Sequence, residues 1–433
     1  MFAGTAEIDI TPKDPVWMDG MIRSHRSTGV HDPLRARVLY LAPDADPANA
    51  CVLVSLDLVA MSFEDAMAVR RGAQDATGIP WNHIMLAASH THSGPATIGY
   101  FNPKEEEYVR GVVSELVGAI KRAVLAREPA AAGCASGSEG TISHYRRLKA
   151  RNGHVVMNWE PYPADQIAGP LGQVDPELGV LRVAPAGETG RSLCVAFNHA
   201  GHPNVLSGDN YLISADYPGL AAELVREKFG CPALFLNGAQ GTMDIDGLKD
   251  RDWEGRQRLG TRLAEAVAAV APRLPVAADP QLRCGSVRYG IPPRKITDAE
   301  HSWAKAVLEK TGGKLQPLAD GVGDDYKALL FHRLREKEHA ETPVEQVCFA
   351  LDDSAFISFP GELFTEIGAE IKRLSPFAHT YIIGLANGSV GYVPTREAIS
   401  QGGYEVDTRL LDDSAVDRVL EQSARLLSQV GSS

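Results

Sequence analysis

The chain has 433 residues, 44% of them hydrophobic and 23% charged, the make-up of a globular protein long enough to bury a large core. A formal net charge of −12 argues against a nucleic-acid binder and against a polybasic membrane-surface protein. Six scattered cysteines without a CxxC pair read as reduced thiols rather than a disulfide frame or a thiolate zinc site. The N-terminus, MFAGTAEIDITPKD, shows no basic n-region and no apolar h-region, and no uncharged apolar run reaches the length of a membrane span. The expectation is a cytoplasmic protein with a small-molecule substrate and no stable membrane association; the oligomeric state stays open.

Along the chain, apolar β-branched runs alternate with helical patterns. RARVLYL and ACVLVSLDLVAM (50–61) predict strands, FEDAMAVRRGAQDATG (63–78) a helix stopped by glycine, and HIMLAAS a further strand. PKEEEYVRGVVSELVGAIKRAVLAREP predicts a helix with acids at its start and bases toward its end, as the helix dipole favours. SLCVAFN (192–198), PALFLN (232–237), VCFALDDSAFISF (347–359) and HTYIIGL (379–385) predict strands, with helices at PGLAAELVREKFG and EGRQRLGTRLAEAVAAVAPRL. Several strands follow one another without a helix. The fold class is therefore α/β, with a mixed central β-sheet flanked by helices. The charged segment 297–341 reads as a helical insertion on a single domain spanning 1–433, since no repeat, low-complexity stretch or Gly/Ser linker divides the chain.

The strand exits carry the chemistry, where ligands of α/β sheets bind. LAASHTHSGP places His90 and His92 at i and i+2, and in extended backbone their rings would share a face. FNHAGHPNVLSGDNYLISADYPG (197–219) carries His199, His202, Asp209 and Asp216. Pro203 disfavours helix at His202, so one ligand from the His199/His202 pair is expected rather than two. LNGAQGTMDIDG (236–247) is a glycine-rich turn with Asp244, and in SFPGELFTEIG Glu362 follows a Pro-Gly turn and opens a helix. GLANGSVGYVPTREAISQGGYE brings Tyr392 and Tyr404. Taken singly, each has a bland reading: Asn/Gly/Asp runs are turns, an acid at a helix start complements the dipole, and a tyrosine packs with a wet hydroxyl. Together, His, His and Glu at successive strand exits are the nitrogen and oxygen donors that zinc accepts. HExxH, GxSxG, P-loop and GxGxxG motifs are absent, so any metal site is assembled from distant segments.

In order, AEIDITP, SHTHSGP, HPNVL with NYLISADYPG, NGAQG, PGELF and GYVPTREAISQGGYE resemble the catalytic domain of the neutral/alkaline ceramidases, zinc amidohydrolases that cleave N-acyl amides. Position by position, the resemblance implies zinc ligands at His90, His202, Glu362 and Tyr392. It implies a proton-transferring His92, a Tyr404 that hydrogen-bonds the substrate carbonyl or oxyanion, and Arg146 lining the site. Tyr145 stands where the family has asparagine, which leaves Arg146 against Arg147 open, and Gly241-Thr242-Met243-Asp244 departs from the family's Gly-Asp turn. The C-terminal immunoglobulin-like domain and signal peptide of full-length members are not found, which points to a soluble N-acyl substrate rather than membrane ceramide. Competing expectations are a zinc esterase or lactonase, a two-metal phosphoesterase using Asp209, Asp216 and Asp244, and a catalytically inactive binding protein.

Overall fold

Between Ala36 and Leu41 only Arg37 is polar, and the architecture explains why. In the computed structural model, which describes residues 1–188, 190–247 and 249–432, both faces of this strand are covered. Val38 and Tyr40 pack under helices, while Leu39 and Leu41 pack against a second sheet. A strand buried on both sides loses the apolar/polar alternation of a half-exposed one.

The larger sheet has eight strands: β1 (Phe2–Asp9), β2 (Arg35–Ala42), β3 (Cys51–Leu56), β4 (Ile84–Ala88), β5 (Glu128–Ser138), β6 (Glu177–Pro185), β7 (Cys194–His199) and β8 (Ala233–Asn237). Their order is β8-β7-β6-β5-β1-β2-β3-β4. Two edge pairs, β3/β4 and β7/β8, are parallel, and the rest are antiparallel. One face carries α1 (Phe63–Thr77) and α2 (Glu106–Leu125) over one half, and α3 (Asp216–Phe229) and α4 (Trp253–Val270) over the other. The opposite face meets a four-stranded sheet of β9 (Leu282–Ile291), β10 (Thr342–Leu351), β11 (Ser354–Ser358) and β12 (His379–Ile383). Between β9 and β10 lie α5 (Asp298–Thr311) and α6 (Asp324–Glu336); α7 (Thr365–Leu374) joins β11 to β12 in parallel. Two short helices, α8 (Arg396–Gln401) and α9 (Tyr404–Thr408), precede the last, α10 (Ala415–Gly431), which packs with α7 on the outer face of the smaller sheet.

The mixed central sheet is present, but helices flank only one of its faces. The layers run helix, sheet, sheet, helix. β1, β5, β6 and β9 go beyond the predicted strands. β5 reads EPAAAGCASGS, poor in β-formers, because helices and loops press on it: a Cβ at Gly133 would stand 2.1 Å from the Pro275 carbonyl oxygen. The predicted 347–359 strand breaks at a turn where Asp352 takes φ 52°, giving β10 and β11. The helical insertion is formed by α5 and α6. It is no free excursion, since its core side chains Tyr326 and Phe331 join Ile22, Phe101 and Leu410 from loops elsewhere.

Candidate functional site

Three parallel strand pairs, β3/β4, β7/β8 and β11/β12, bring their carboxyl ends together. Backbone-directed bonds lace these ends: Asn237 Nδ2 donates to the Ser89 carbonyl at 2.9 Å, and the Gly384 N–H to the Asn237 carbonyl at 2.9 Å. The Leu385 N–H then reaches the Gly361 carbonyl at 3.2 Å. The polar loops that follow therefore converge on one place.

His90 leaves β4 with φ 74°, a left-handed conformation that a non-glycine residue adopts at a cost of order 1–3 kcal/mol. The turn, not an extended backbone, aims the two rings: His90 and His92 meet with Nε2 atoms 3.2 Å apart and ring planes at 79°. The expectation of an extended pair sharing a face is corrected on this point. His202 closes the group, its ring centroid 4.6 Å from that of His90 and 4.9 Å from that of His92. All three are buried, and their donor atoms lie within 4.8 Å of one another. Glu362 Oε2 stands 3.4 Å from His90 Nε2. Glu362 does not open a helix, since α7 starts at Thr365. Glu362 and Leu363 instead form a two-residue bridge in which Glu362 pairs with Tyr392, setting carboxylate and phenol side by side.

The ring nitrogens are sorted by their partners. His90 Nδ1 donates to the Val59 carbonyl at 2.9 Å, which turns Nε2 toward the other two rings. His202 Nδ1 bonds Gln240 Oε1 at 2.7 Å, while Gln240 Nε2 donates to Glu362 Oε2 at 3.2 Å. That glutamine fixes two side chains at once, leaving His202 Nε2 free. Burial first, and then the neighbouring His90 and arginines, holds His92 and His202 well below the ordinary histidine range, so both are neutral. Burial pushes the Glu362 carboxyl up, but His90, Arg146 and Gln240 outweigh it and keep it ionised. Three imidazoles whose ring nitrogens lie within 4.8 Å of one another, beside one carboxylate in a buried place, form a donor set that could hold a metal ion.

Arg146, not Arg147, faces the site. Its guanidinium lies 5.1 Å from the Tyr392 ring centroid and 5.7 Å from that of Tyr404. Its Nε donates to Glu405 Oε1 at 2.7 Å, and its NH2 group to the Gly241 carbonyl at 2.9 Å. Arg147 takes the other Glu405 oxygen at 2.7 Å and packs over Phe364. Burial raises both phenols and outweighs the lowering by Arg146, so Tyr392 and Tyr404 stay protonated. The departing turn at 241–244 has a structural part here, because a Cβ at Gly241 would stand 2.6 Å from the Glu362 carbonyl oxygen.

Sequence reasoning did not single out Gln240, Glu405, Gly20 or Trp159. Gly20, at φ 88°, lies so close to the His92 ring that a Cβ would reach it at 2.3 Å. Gln240 and Glu405 sat inside quoted motifs, but their roles depend on partners from other segments. His199 stays apart, its Nε2 bonded to the Glu139 carbonyl at 2.9 Å. Among the described residues the carboxylates weighed for a second metal are not gathered into one ligand group. Asp216 accepts the Tyr217 N–H at 2.6 Å, Asp244 faces Arg251 at 3.5 Å, and neither joins Asp209 in a ligand group among the described residues.

His90, His92, Glu362, Tyr392 and Tyr404 open onto one cavity whose other walls include Val59, Ile98, Phe101, Tyr326 and Leu385. No helix among the described residues is long and apolar enough to cross a membrane. Residues 2–233 match the family model of the neutral/alkaline non-lysosomal ceramidase, N-terminal. The neutral ceramidase of Pseudomonas aeruginosa (strain PAO1) is 22% identical over 88% of this chain, which spans 64% of that relative's length. The crystal structure of neutral ceramidase from Pseudomonas aeruginosa superimposes with a TM-score of 0.73 at 19% identity, covering 99% of this chain and 75% of that one. A ceramidase complexed with C2 gives 0.74 at 18% identity, covering 100% and 75%. The chain belongs to the neutral/alkaline non-lysosomal ceramidase family.

Proposed function

We propose that the chain is a zinc-dependent amidohydrolase that cleaves an N-acyl amide. The observation that carries this is the buried donor group of His90, His92 and His202 beside Glu362, with Tyr392 and Tyr404 lining the adjoining cavity and Arg146 stacked against both phenol rings. His90 and His202, with Glu362 and Tyr392, would hold the ion. When bound, zinc supplies a Lewis acid and a water whose pKa falls toward ~7.

The chain's own residues do the rest. His92 is neutral and so can take a proton at a ring nitrogen and hand it to the departing amine. Tyr404, kept protonated by burial, donates its hydroxyl to the carbonyl oxygen as that oxygen gains charge. Arg146, anchored by Glu405, holds Tyr392 and Tyr404 in position. Gln240 keeps His202 and Glu362 in register with each other. The apolar walls keep bulk water from the reacting bond.

We read the substrate as soluble rather than as membrane ceramide. Among the described residues the large apolar side chains that are exposed are few, Val30, Leu125, Trp303, Leu318 and Leu374, and the 297–341 insertion is rich in charged residues, which supports that reading. A panel of amides, esters and phosphoesters, run with added zinc and with chelator, tests the reading. Chelator-sensitive amide cleavage is expected. Faster ester turnover with the same chelator sensitivity would favour an esterase, and phosphoester turnover alone would overturn the proposal.

A further inference from the structure

We propose that the acyl group this enzyme accepts is short, in the range from acetyl to butyryl, and that Phe101 and Tyr326 set that limit. The inference rests on the amide-hydrolase reading and adds the substrate class. The cavity beside the imidazoles has a volume of about 60 Å³. An apolar cavity of about 150 Å³ holds one benzene, so this one has room for only a few carbon atoms.

Its apolar walls, among them Val59, Ile98, Leu385 and Leu410, suit an alkyl group and not a charged one. Phe101 and Tyr326 line the same cavity with ring centroids 4.9 Å apart. Tyr326 is locked within the core of α5 and α6 with Ala304, Ala328 and Phe331, so it does not swing aside as an exposed ring would. The neighbouring Tyr100 is tied by its hydroxyl to the Ser389 carbonyl at 3.1 Å. The helical insertion thus forms a stop in the cavity.

Tyr404 is shared with a second, more open cleft whose walls carry the charged groups Glu160, Asp320, Lys327 and Asp407 beside apolar Val155, Leu318 and Val322. An amide whose carbonyl reaches Tyr404 has one substituent on each side of that ring. The more apolar, less open side takes the acyl group, and the more open side with its charged groups takes the amine.

The test uses the zinc-loaded full chain and the acetyl, butyryl, octanoyl and palmitoyl amides of ethanolamine. Expected is a fall in kcat/KM of about 100-fold or more between butyryl and octanoyl, the scale on which a pocket rejects added methylenes. Phe101→Ala should move the optimum to longer chains, and Phe101→Trp should remove butyryl while sparing acetyl. Phe101 is only half-buried, so both variants should fold; Tyr326→Ala is a further arm. Palmitoyl as the best substrate of the natural chain, or an unchanged length profile in both Phe101 variants, would overturn this inference alone. Cleavage of no amide at any length would overturn the hydrolase reading and this inference together.

Discussion

His90 and His202 are both tied at Nδ1 while His92 Nδ1 has no partner among the described residues, and the ties decide what each loss costs. His202 offers Nε2 because Gln240 holds Nδ1, whereas His199, three residues earlier, spends its Nε2 on the Glu139 carbonyl. His202→Ala should therefore lose metal on dialysis, and His199→Ala should keep it; metal analysis of the two proteins gives the answer. His92 and Tyr404 have different work. His92→Ala and Tyr404→Phe should retain the metal while turnover falls by about 10²–10³, the usual cost of a lost oxyanion donor. Single-turnover rates set beside metal content would show it, and metal lost from either variant would move that residue into the ligand shell. At this scale much was legible. The His-x-His pair stood at the end of a buried run, and Glu362, Tyr392 and Tyr404 lay in glycine-rich turns. What sequence hides is the pairing of distant groups. Glu405 receives Arg146 and Arg147 from more than 250 positions away, and no local signal marks it as their common partner.

The loops that carry the site hold one another, and Asp19 shows at what cost. Its carboxylate accepts the N–H groups of Thr97 and Ile98, joining the loop under His92 to the one that follows it. Burial, only partly offset by those bonds and by Arg23, raises its pKa from 3.8 to about 6. The folded state thus binds this proton more tightly than the unfolded chain does. Stability from this group falls as pH rises from the unfolded value toward the folded one, and stays low above it. Asp19→Asn retains an oxygen for the two N–H groups and removes the charge. The variant should gain on the natural chain as pH climbs from about 4 to about 7, by on the order of 3 kcal/mol at the top of that range. Denaturant midpoints across that window measure it, and a constant difference would contradict it. Element type was read well where residues are bulky and apolar, as in β3 and β8. It was missed in β5, where alanine and glycine are demanded by close neighbours that only the fold supplies.

For the whole molecule, the strand exits predicted a single place of convergence, and the carboxyl ends of three parallel pairs meet there. The second sheet was not legible, because a strand buried on both faces reads the same whether helices or another sheet cover it. Stacking the sheets is what brings Glu362 and Tyr392, from the smaller sheet's side, to histidines on the larger one's loops. On the proposed reading this junction holds zinc through His90, His202, Glu362 and Tyr392, with His92 free to move a proton. Anomalous scattering at the zinc edge from crystals of the active protein tests it most directly. The expected result is one zinc peak per chain within bonding distance of those four side chains, with His92 outside the shell. A peak held by His90, His92 and His202 without Glu362, or active protein with no peak, would contradict it.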